Sequence, residues 1–401
     1  MFWKSRLAAF IRRMRHHDIP VQLRLWDGKH FALGHQPKVT LHAKSLRSLR
    51  PLLNPSLDNL GRAYVEGDID IEGDIDNAID ASARLAVHGF GKGKFLRRAA
   101  RPGRHTHKVD QDAIAYHYDV SNEFYQLFLD PGMVYSCAYF RQPDDSLELA
   151  QQQKIDHILK KLQLRPGHTL LDIGCGWGAL IIRAAEKYGA RALGITLSRN
   201  QYEHARERIA QAGLEDRCEV RLQDYRDVRG RFDRVVSVGM FEHVGLKNLQ
   251  LYFRRIGELL HDHGVCLNHG ITSTDPDSAQ APLGSGDFIG RYVFPHGELP
   301  HIGLALKEMS AAGLEAVDVE NLRLHYAQTL RLWSRRFEKS AERLRQLAGE
   351  KRFRIWRAYL AGCAHGFAEN WVSLHQIIAV KAGSARNYPL PLTREYIYSQ
   401  D

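Results

Sequence analysis

The residues best equipped to do chemistry fall in one run, Leu171-Asp172-Ile173-Gly174-Cys175-Gly176-Trp177-Gly178, where a short apolar strand ends in glycines and a helix begins. Gly174 and Gly176 let the backbone approach a ligand closely and take positive φ. A dinucleotide site uses the same physics, so the loop alone leaves the ligand open. Two details favour S-adenosylmethionine. The spacing is GxGxG rather than GxGxxG, which removes the room made for a pyrophosphate. The acid expected about 20 positions on, to hold an adenosine ribose, is also missing, and Gly194-Ile195-Thr196-Leu197-Ser198 stands at that strand end. Asp172 is then expected to orient the amino group of the methionine moiety. Asp224, in Leu222-Gln223-Asp224-Tyr225, follows a third strand and is expected to accept from the adenine amino group. Thr196, Leu197, Gln201 and Gln223 complete the expected cofactor set.

Other reactive side chains are read more plainly. The five cysteines, Cys137, Cys175, Cys218, Cys266 and Cys363, form no CxxC pair and cannot all be disulfide-bonded. Neither a disulfide framework nor a zinc ribbon is therefore expected, and no metal is expected. The acidic run Asp68-Ile69-Asp70-Ile71-Glu72-Gly73-Asp74 lacks the terminal bidentate Glu of a calcium loop, and its alternating Ile residues read as strand. Glu242 and His269 both follow predicted strands. Taken singly, the first suits a helix N-terminus and the second a core histidine. Cys363 sits in a stripe of Trp356, Leu360, Phe367, Trp371, Leu374 and Ile378 whose spacing predicts a helix, so it reads as a buried, inert thiol.

These groups need a scaffold, and from Thr169 the chain alternates strand and helix. Strands are predicted at 169–173, 191–195, 218–222, 232–238, 264–268 and 314–322. Helices are predicted through Tyr188 and at about 200–212, 246–261 and 304–312. That is a doubly wound α/β sheet of the Rossmann-like kind, in which ligands lie beyond the carboxyl ends of the strands. A smaller α/β domain comes first, over residues 1–88. It is followed by a Gly- and base-rich linker at 89–111 and a catalytic domain at 112–401 with C-terminal helices. The opening stripe of Trp3, Leu7, Phe10 or Ile11, and Met14 suits either an amphipathic helix on a membrane interface or a helix docked on its own domain.

The chain has 401 residues, of which 44% are hydrophobic and 25% charged, with a net charge of +10. Residues 1–110 carry +9 of that and the rest +1. Much of the excess lies in two acid-free stretches, residues 1–17 and 81–109. The second contains Lys92, Lys94, Arg97, Arg98, Arg101, Arg104 and Lys108. Such a surface attracts phospholipid headgroups or nucleic acid, and composition does not choose between them. No apolar run approaches the roughly 18 residues that would span a bilayer, and the N-terminal apolar stretch is too broken for a signal-peptide core. The expectation is a cytoplasmic chain.

Six motifs narrow the reading: HYDVSNEFY, MVYSCAYF, LDIGCGWG, GITLSRNQ, LQDYRD and MFEHVG, in that order. Together they resemble the cyclopropane-fatty-acyl-phospholipid synthases and their relatives, the mycolic acid methyltransferases. The likeness runs from about Asp112 to Val380. NPSLDNLGRAYVEGDIDIEGDI in the first domain is similar to the longer, phospholipid-acting members. The missing ribose acid departs from the usual methyltransferase pattern and narrows the family.

The resemblance implies methylene transfer from S-adenosylmethionine to the cis double bond of an unsaturated phospholipid acyl chain, through a carbocation deprotonated by bound bicarbonate. It implies Cys137, Glu242, His269, the backbone of Ile271 and Tyr326 as bicarbonate ligands, and it adds Cys363 as a cysteine considered catalytic. Tyr135 and Ser136 become a lid on the cofactor, with Cys137 turned into the reaction chamber. An apolar tunnel is expected, lined by aromatics from Phe288 to Phe294 and by the C-terminal helices, with Arg291 and Tyr292 at its mouth. The implied partners are an anionic membrane surface, met peripherally at its inner face, and a second copy of the chain. The alternatives are methyl branching, small-molecule N-methylation and, lacking a recognised RNA-binding signature, nucleic-acid methylation.

Overall fold

Two periodicities build this protein. A four-stranded sheet comes first, from alternating segments, and a seven-stranded sheet follows from short apolar runs separated by helices. A computed structural model describes residues 2–89, 121–295, 297–383 and 388–399. Within them, contacts define two compact units: 2–89 with 279–295 and 333–371, and 121–278 with 297–332, 372–383 and 388–399. The units therefore do not follow the linear boundaries 1–88, 89–111 and 112–401, because two later segments join the N-terminal one. Most of the linker, with Lys92, Lys94, Arg97, Arg98, Arg101, Arg104 and Lys108, lies outside the described residues, as does His117–Val120 of the first family motif.

The first unit opens with α1 (Phe2–His16), β1 (Val21–Arg24), β2 (His30–Ala32), β3 (Val39–Ala43), α2 (Leu49–Leu53), α3 (Leu57–Val65), β4 (Ile69–Glu72) and α4 (Ile75–Gly89). Its sheet order is β2-β1-β3-β4, with β1 and β3 parallel. β4 is the acidic Ile-alternating run, which forms a strand. Leu7, Phe10, Ile11 and Met14 of α1 are buried in one core with Val21, Leu23 and Leu41. Of the two readings of that helix, docking on its own domain is the one observed. Lys4, Arg6, Arg12, Arg13 and Arg15 stay exposed on its other side. Ser56 caps α3 by accepting from the Asn59 amide at 3.0 Å.

The second unit begins with α5 (Asn122–Gln126) and α6 (Leu147–Lys161). The sheet then alternates with helices: β5 (Thr169–Ile173), α7 (Ala179–Tyr188), β6 (Arg191–Thr196), α8 (Arg199–Gln211), β7 (Cys218–Leu222), β8 (Phe232–Val238), α9 (Leu249–Leu259) and β9 (Leu260–Ser273). α10 (Ser285–Tyr292) belongs to the first unit. α11 (Ile302–Ala311) and β10 (Leu314–Asn321) return to the second. α12 (Arg323–Lys339) runs from one unit into the other, α13 (Ala341–Ala368) lies in the first, and β11 (Val372–Lys381) with α14 (Glu395–Tyr398) closes the second.

The large sheet has the order β10-β11-β9-β8-β5-β6-β7. β7, β6, β5, β8 and β9 are parallel, whereas β11 is antiparallel to both neighbours. Leu170, Leu171, Val236, Leu267 and Ile378 are at most 1% exposed, and each such side chain contributes about 1.5–3 kcal/mol by burial. β11 corrects the sequence reading. The predicted helical stripe ends at Ala368, and Leu374 and Ile378 lie on a strand. Asn370 takes a left-handed φ of 57° and the Trp371 amide returns to the Gly366 carbonyl at 2.9 Å, which ends the helix. Among the described residues no helix is long and apolar enough to cross a membrane.

Candidate active site

The strand order reverses on either side of β5, and the crevice beyond the carboxyl ends of β5 and β8 is where a ligand is expected. The glycine loop fills that position. Gly174, Gly176 and Gly178 take φ of 84°, 55° and 86°, which only glycine adopts readily. The amides of Gly174 and Cys175 both donate to the Ile195 carbonyl at 3.0 Å, folding the loop against β6. The loop borders a cavity of ≈ 250 Å³. Tyr135, Ser136, Asp172, Gly174, Gly176, Thr196, Leu197, Gln201, Gln223 and Asp224, the whole expected cofactor set, line it.

Each of these side chains is held from behind. Thr196 donates through its hydroxyl to Gln201 Oε1 at 2.7 Å, and Ser198 caps α8. The Gln223 amide donates to the Thr196 carbonyl at 3.1 Å. Asp224 receives Arg226 through two oxygens, at 2.8 and 2.6 Å, so its carboxylate is already engaged by a guanidinium. The expectation of Asp224 as an adenine acceptor did not include this partner. Tyr125, fully buried, packs its ring 5.0 Å from Trp177 and 5.6 Å from Tyr135. From α6, Gln151 Nε2 donates to the carbonyls of Val134 and Ser136, which fixes the segment carrying Tyr135 and Ser136.

Asp172 differs from the rest. It is 2% exposed, its Oδ1 has no partner, and burial pushes its carboxyl up to about 7. Such an atom, at the edge of a cavity, is placed for a ligand's donor.

The expected anion ligands form two groups. Glu242 sits in a single 3-10 turn (Phe241–His243) just after β8, and its Oε1 accepts from the Ile271 amide at 2.7 Å. The Ile271 amide offered to a captive anion is thus bonded to Glu242. Two residues back on the same strand face is His269, 1% exposed, whose Nδ1 lies 3.1 Å from Gln376 Nε2 on β11. Glu242 Oε2 and His269 Nε2 are both buried without a partner. Burial raises Glu242 to about 7; burial, then the charge of Lys154, holds His269 well below its usual range.

Cys137 and Tyr326 make the second group, meeting at one backbone oxygen. Cys137 Sγ lies 3.8 Å from the Leu322 carbonyl, which accepts the Tyr326 amide at 3.0 Å. Burial pushes the thiol far up. Cys137 does not line the cofactor cavity. The two groups share an electrostatic environment, because the charges of Lys154 and Glu320 act on both Cys137 and His269.

Comparison with known proteins then decides the family. The family model described as mycolic acid cyclopropane synthetase matches residues 105–377, and a domain of unknown function matches 9–90. The chain belongs to the mycolic acid cyclopropane synthetase family. It is 48% identical over 396 residues, 98% of this chain and 100% of the other, to a "Probable fatty acid methyltransferase" of Pseudomonas putida. It is 38% identical over 273 residues to "Cyclopropane mycolic acid synthase 1" of Mycobacterium tuberculosis, covering 66% of this chain and 95% of that one. The crystal structure of a mycolic acid cyclopropane synthase, CmaA1, complexed with SAH and CTAB is similar at a TM-score of 0.64 and 37% identity, over 69% of this chain and 99% of that one. Coclaurine N-methyltransferase, at 21% identity and a TM-score of 0.62 over 80% and 99%, shares the fold.

Within this family member, the remaining expected residues lie in the first unit and do not border the cavity. Cys363 is partly buried on α13, with desolvation raising its thiol to about 12. Phe288 packs over Gly61, where an added Cβ would come within 2.8 Å of its ring. Arg291 lies 3.6 Å from Asp58, and the Tyr292 hydroxyl donates to Glu66 at 3.1 Å. Sequence reasoning missed Lys154 and Gln376. A lysine at an apolar position of α6 was the available signal for the first. The second was concealed by reading β11 as helix.

Proposed function

We propose that this protein transfers a methylene group from S-adenosylmethionine to the cis double bond of an unsaturated phospholipid acyl chain, leaving a cyclopropane ring. An isolated olefin is a feeble nucleophile, so the sulfonium methyl must be held close and in line, with water kept out. The cavity supports this: the glycine loop with Trp177, and the Tyr135-Ser136 segment, both line it. Methyl transfer leaves positive charge on the acyl chain, which aromatic faces stabilise. A proton must then leave the new methyl group for the ring to close.

The observation that carries the reading is the pair of buried, unpartnered atoms Glu242 Oε2 and His269 Nε2, held on β9 and the turn facing it. Gln376 Nε2, 3.1 Å from Nδ1, favours the tautomer of His269 with its proton on Nε2, where it can donate. Glu242 offers an acceptor. A donor and an acceptor, both desolvated, fit a small anion that itself donates and accepts, as bicarbonate does. Glu242 and His269 would hold it, with Cys137 and Tyr326 from the second group. When bound, bicarbonate supplies the base for the departing proton. Ile271 acts through Glu242, fixing the orientation of its carboxylate.

The phospholipid assignment is supported by the basic face of α1, where Lys4, Arg6, Arg12, Arg13 and Arg15 are exposed while the apolar stripe is buried. Electrostatic attraction to the inner face of a membrane, rather than insertion, is the matching mode. The test is incubation with S-adenosylmethionine labelled in its methyl group, vesicles of unsaturated phosphatidylglycerol, and RNA. Label is expected in acyl chains whose product resists ozonolysis. Label in RNA, or in no lipid, contradicts the proposal.

A further inference from the structure

Lys154 is a buried cation at the cavity wall with no role in the chemistry above. It stands on α6, is 2% exposed, and lines the cavity with Ser136 and Asp172. Its ammonium donates to a hydroxyl, Ser136 Oγ, at 2.9 Å. Asp130, Asp172 and Cys137 act on it only through space. Desolvation lowers it to about 8, the mark of a charge whose surroundings do not fully compensate it.

The same wall holds a group of opposite sign, since Asp172 Oδ1 is buried and unpartnered, and it acts on Lys154 only through space. Two buried groups of opposite sign, neither in a direct ion pair, remain costly until something supplies contacting counter-charges to both. An α-amino acid supplies them in one piece. Ser136 adds direction. Its oxygen accepts from Lys154, so its own hydrogen is left to donate into the cavity that it lines. The segment cannot swing away easily, because Gln151 holds the Ser136 carbonyl at 2.9 Å.

We propose that Lys154, together with the Ser136 hydroxyl it orients, receives the α-carboxylate of the amino-acid end of S-adenosylmethionine, while Asp172 takes the α-ammonium. This rests on reading the cavity as the S-adenosylmethionine site. The pair then reads the zwitterion as a unit, and Lys154 is a binding residue of the cofactor site.

The test is calorimetric titration of the full chain with three ligands: S-adenosylhomocysteine, its decarboxylated analogue, and 5′-methylthioadenosine, which lacks the whole amino-acid end. For the wild type, removing the carboxylate weakens binding roughly 10- to 100-fold, the scale of a charge-assisted hydrogen bond. Lys154→Met weakens S-adenosylhomocysteine by a similar factor and leaves the two ligands without a carboxylate within about twofold of the wild type. Should Lys154→Met fold poorly, Ser136→Ala must narrow the preference for the carboxylate-bearing ligand. Equal weakening of all three ligands, or a wild type indifferent to the carboxylate, overturns the proposal. Failure of the wild type to bind any of the three overturns the cofactor reading itself, a distinguishable result.

Discussion

One oxygen of the Glu242 carboxylate is tied to the Ile271 amide at 2.7 Å, and the other is buried with nothing bonded to it. The first bond fixes the direction of the second oxygen. β8 ends at Val238, paired with His269, so β9 runs on past its neighbour and its next amides need partners. Glu242, just beyond the end of β8, fills one of them. The side chain is thus secured by an unpaired sheet edge, and a desolvated acceptor is the by-product.

Glu242→Gln is expected to lower turnover about 10²- to 10⁴-fold, while S-adenosylhomocysteine binding stays unchanged because Glu242 does not line the cavity. The same variant has a stability signature. The carboxyl titrates at about 7 in the fold against an ordinary 4.5, so the wild type loses stability as pH rises through that window. The Gln side chain does not titrate. Relative to wild type it should gain about 3 kcal/mol between pH 4 and pH 8 in bicarbonate-free buffer, read by denaturant melts at the two pH values.

Gly270→Ala tests the packing that places Glu242. An added Cβ would lie 2.3 Å from Phe241 Cδ1, and Phe241 immediately precedes Glu242. The ring is 1% exposed and has little room to yield. We expect a loss of about 1–3 kcal/mol in stability from overpacking. Turnover should fall by more than tenfold, with S-adenosylhomocysteine affinity little altered. Kinetics and calorimetry on one preparation separate the two effects.

Glu320 governs behaviour in acid. Burial pushes its carboxyl up, but the His157 hydrogen bond at 2.8 Å and the Lys161 ammonium at 2.5 Å more than offset this and hold it at about 2. Its contribution is therefore present above about 4.5 and lost as pH falls toward 2. Glu320→Gln leaves Lys161, fully buried, with Asp318 at 3.8 Å as its remaining ion pair. A loss of about 3–5 kcal/mol at pH 7, shrinking as the wild type is acidified, is the expected melt result.

Arg12→Glu with Arg13→Glu tests the basic face of α1. Both side chains are exposed, so folding should be untouched, whereas vesicle binding should weaken by about 1 kcal/mol for each base removed, and further for each acid added. Sedimentation with anionic vesicles at rising salt measures it. Binding insensitive to both salt and the substitutions would contradict the membrane assignment.

Much of the cofactor wall was legible because strand, glycine turn and helix follow one another at fixed spacing, and all ten expected residues border one cavity. β11 was not legible. Its residues are buried on both faces, which removes the alternation that marks a strand, and Trp371, Leu374 and Ile378 happen to continue the spacing of α13. Gln376, the partner of His269, was lost with it. Lys154 escaped notice because a lysine following three glutamines on α6 looks like part of a solvated face and carries no local motif. The Arg226 clasp on Asp224 is a contact between residues two apart whose geometry only the turn reveals.

The most direct test of the account follows the transferred methyl group itself. With S-adenosylmethionine carrying a fully deuterated methyl and unsaturated phosphatidylglycerol vesicles, mass analysis of the acyl product should show the added carbon with two deuterons, the third having left as the ring closed. A product that keeps all three deuterons is a methylated chain or amine. That result would contradict deprotonation at the Glu242–His269 site.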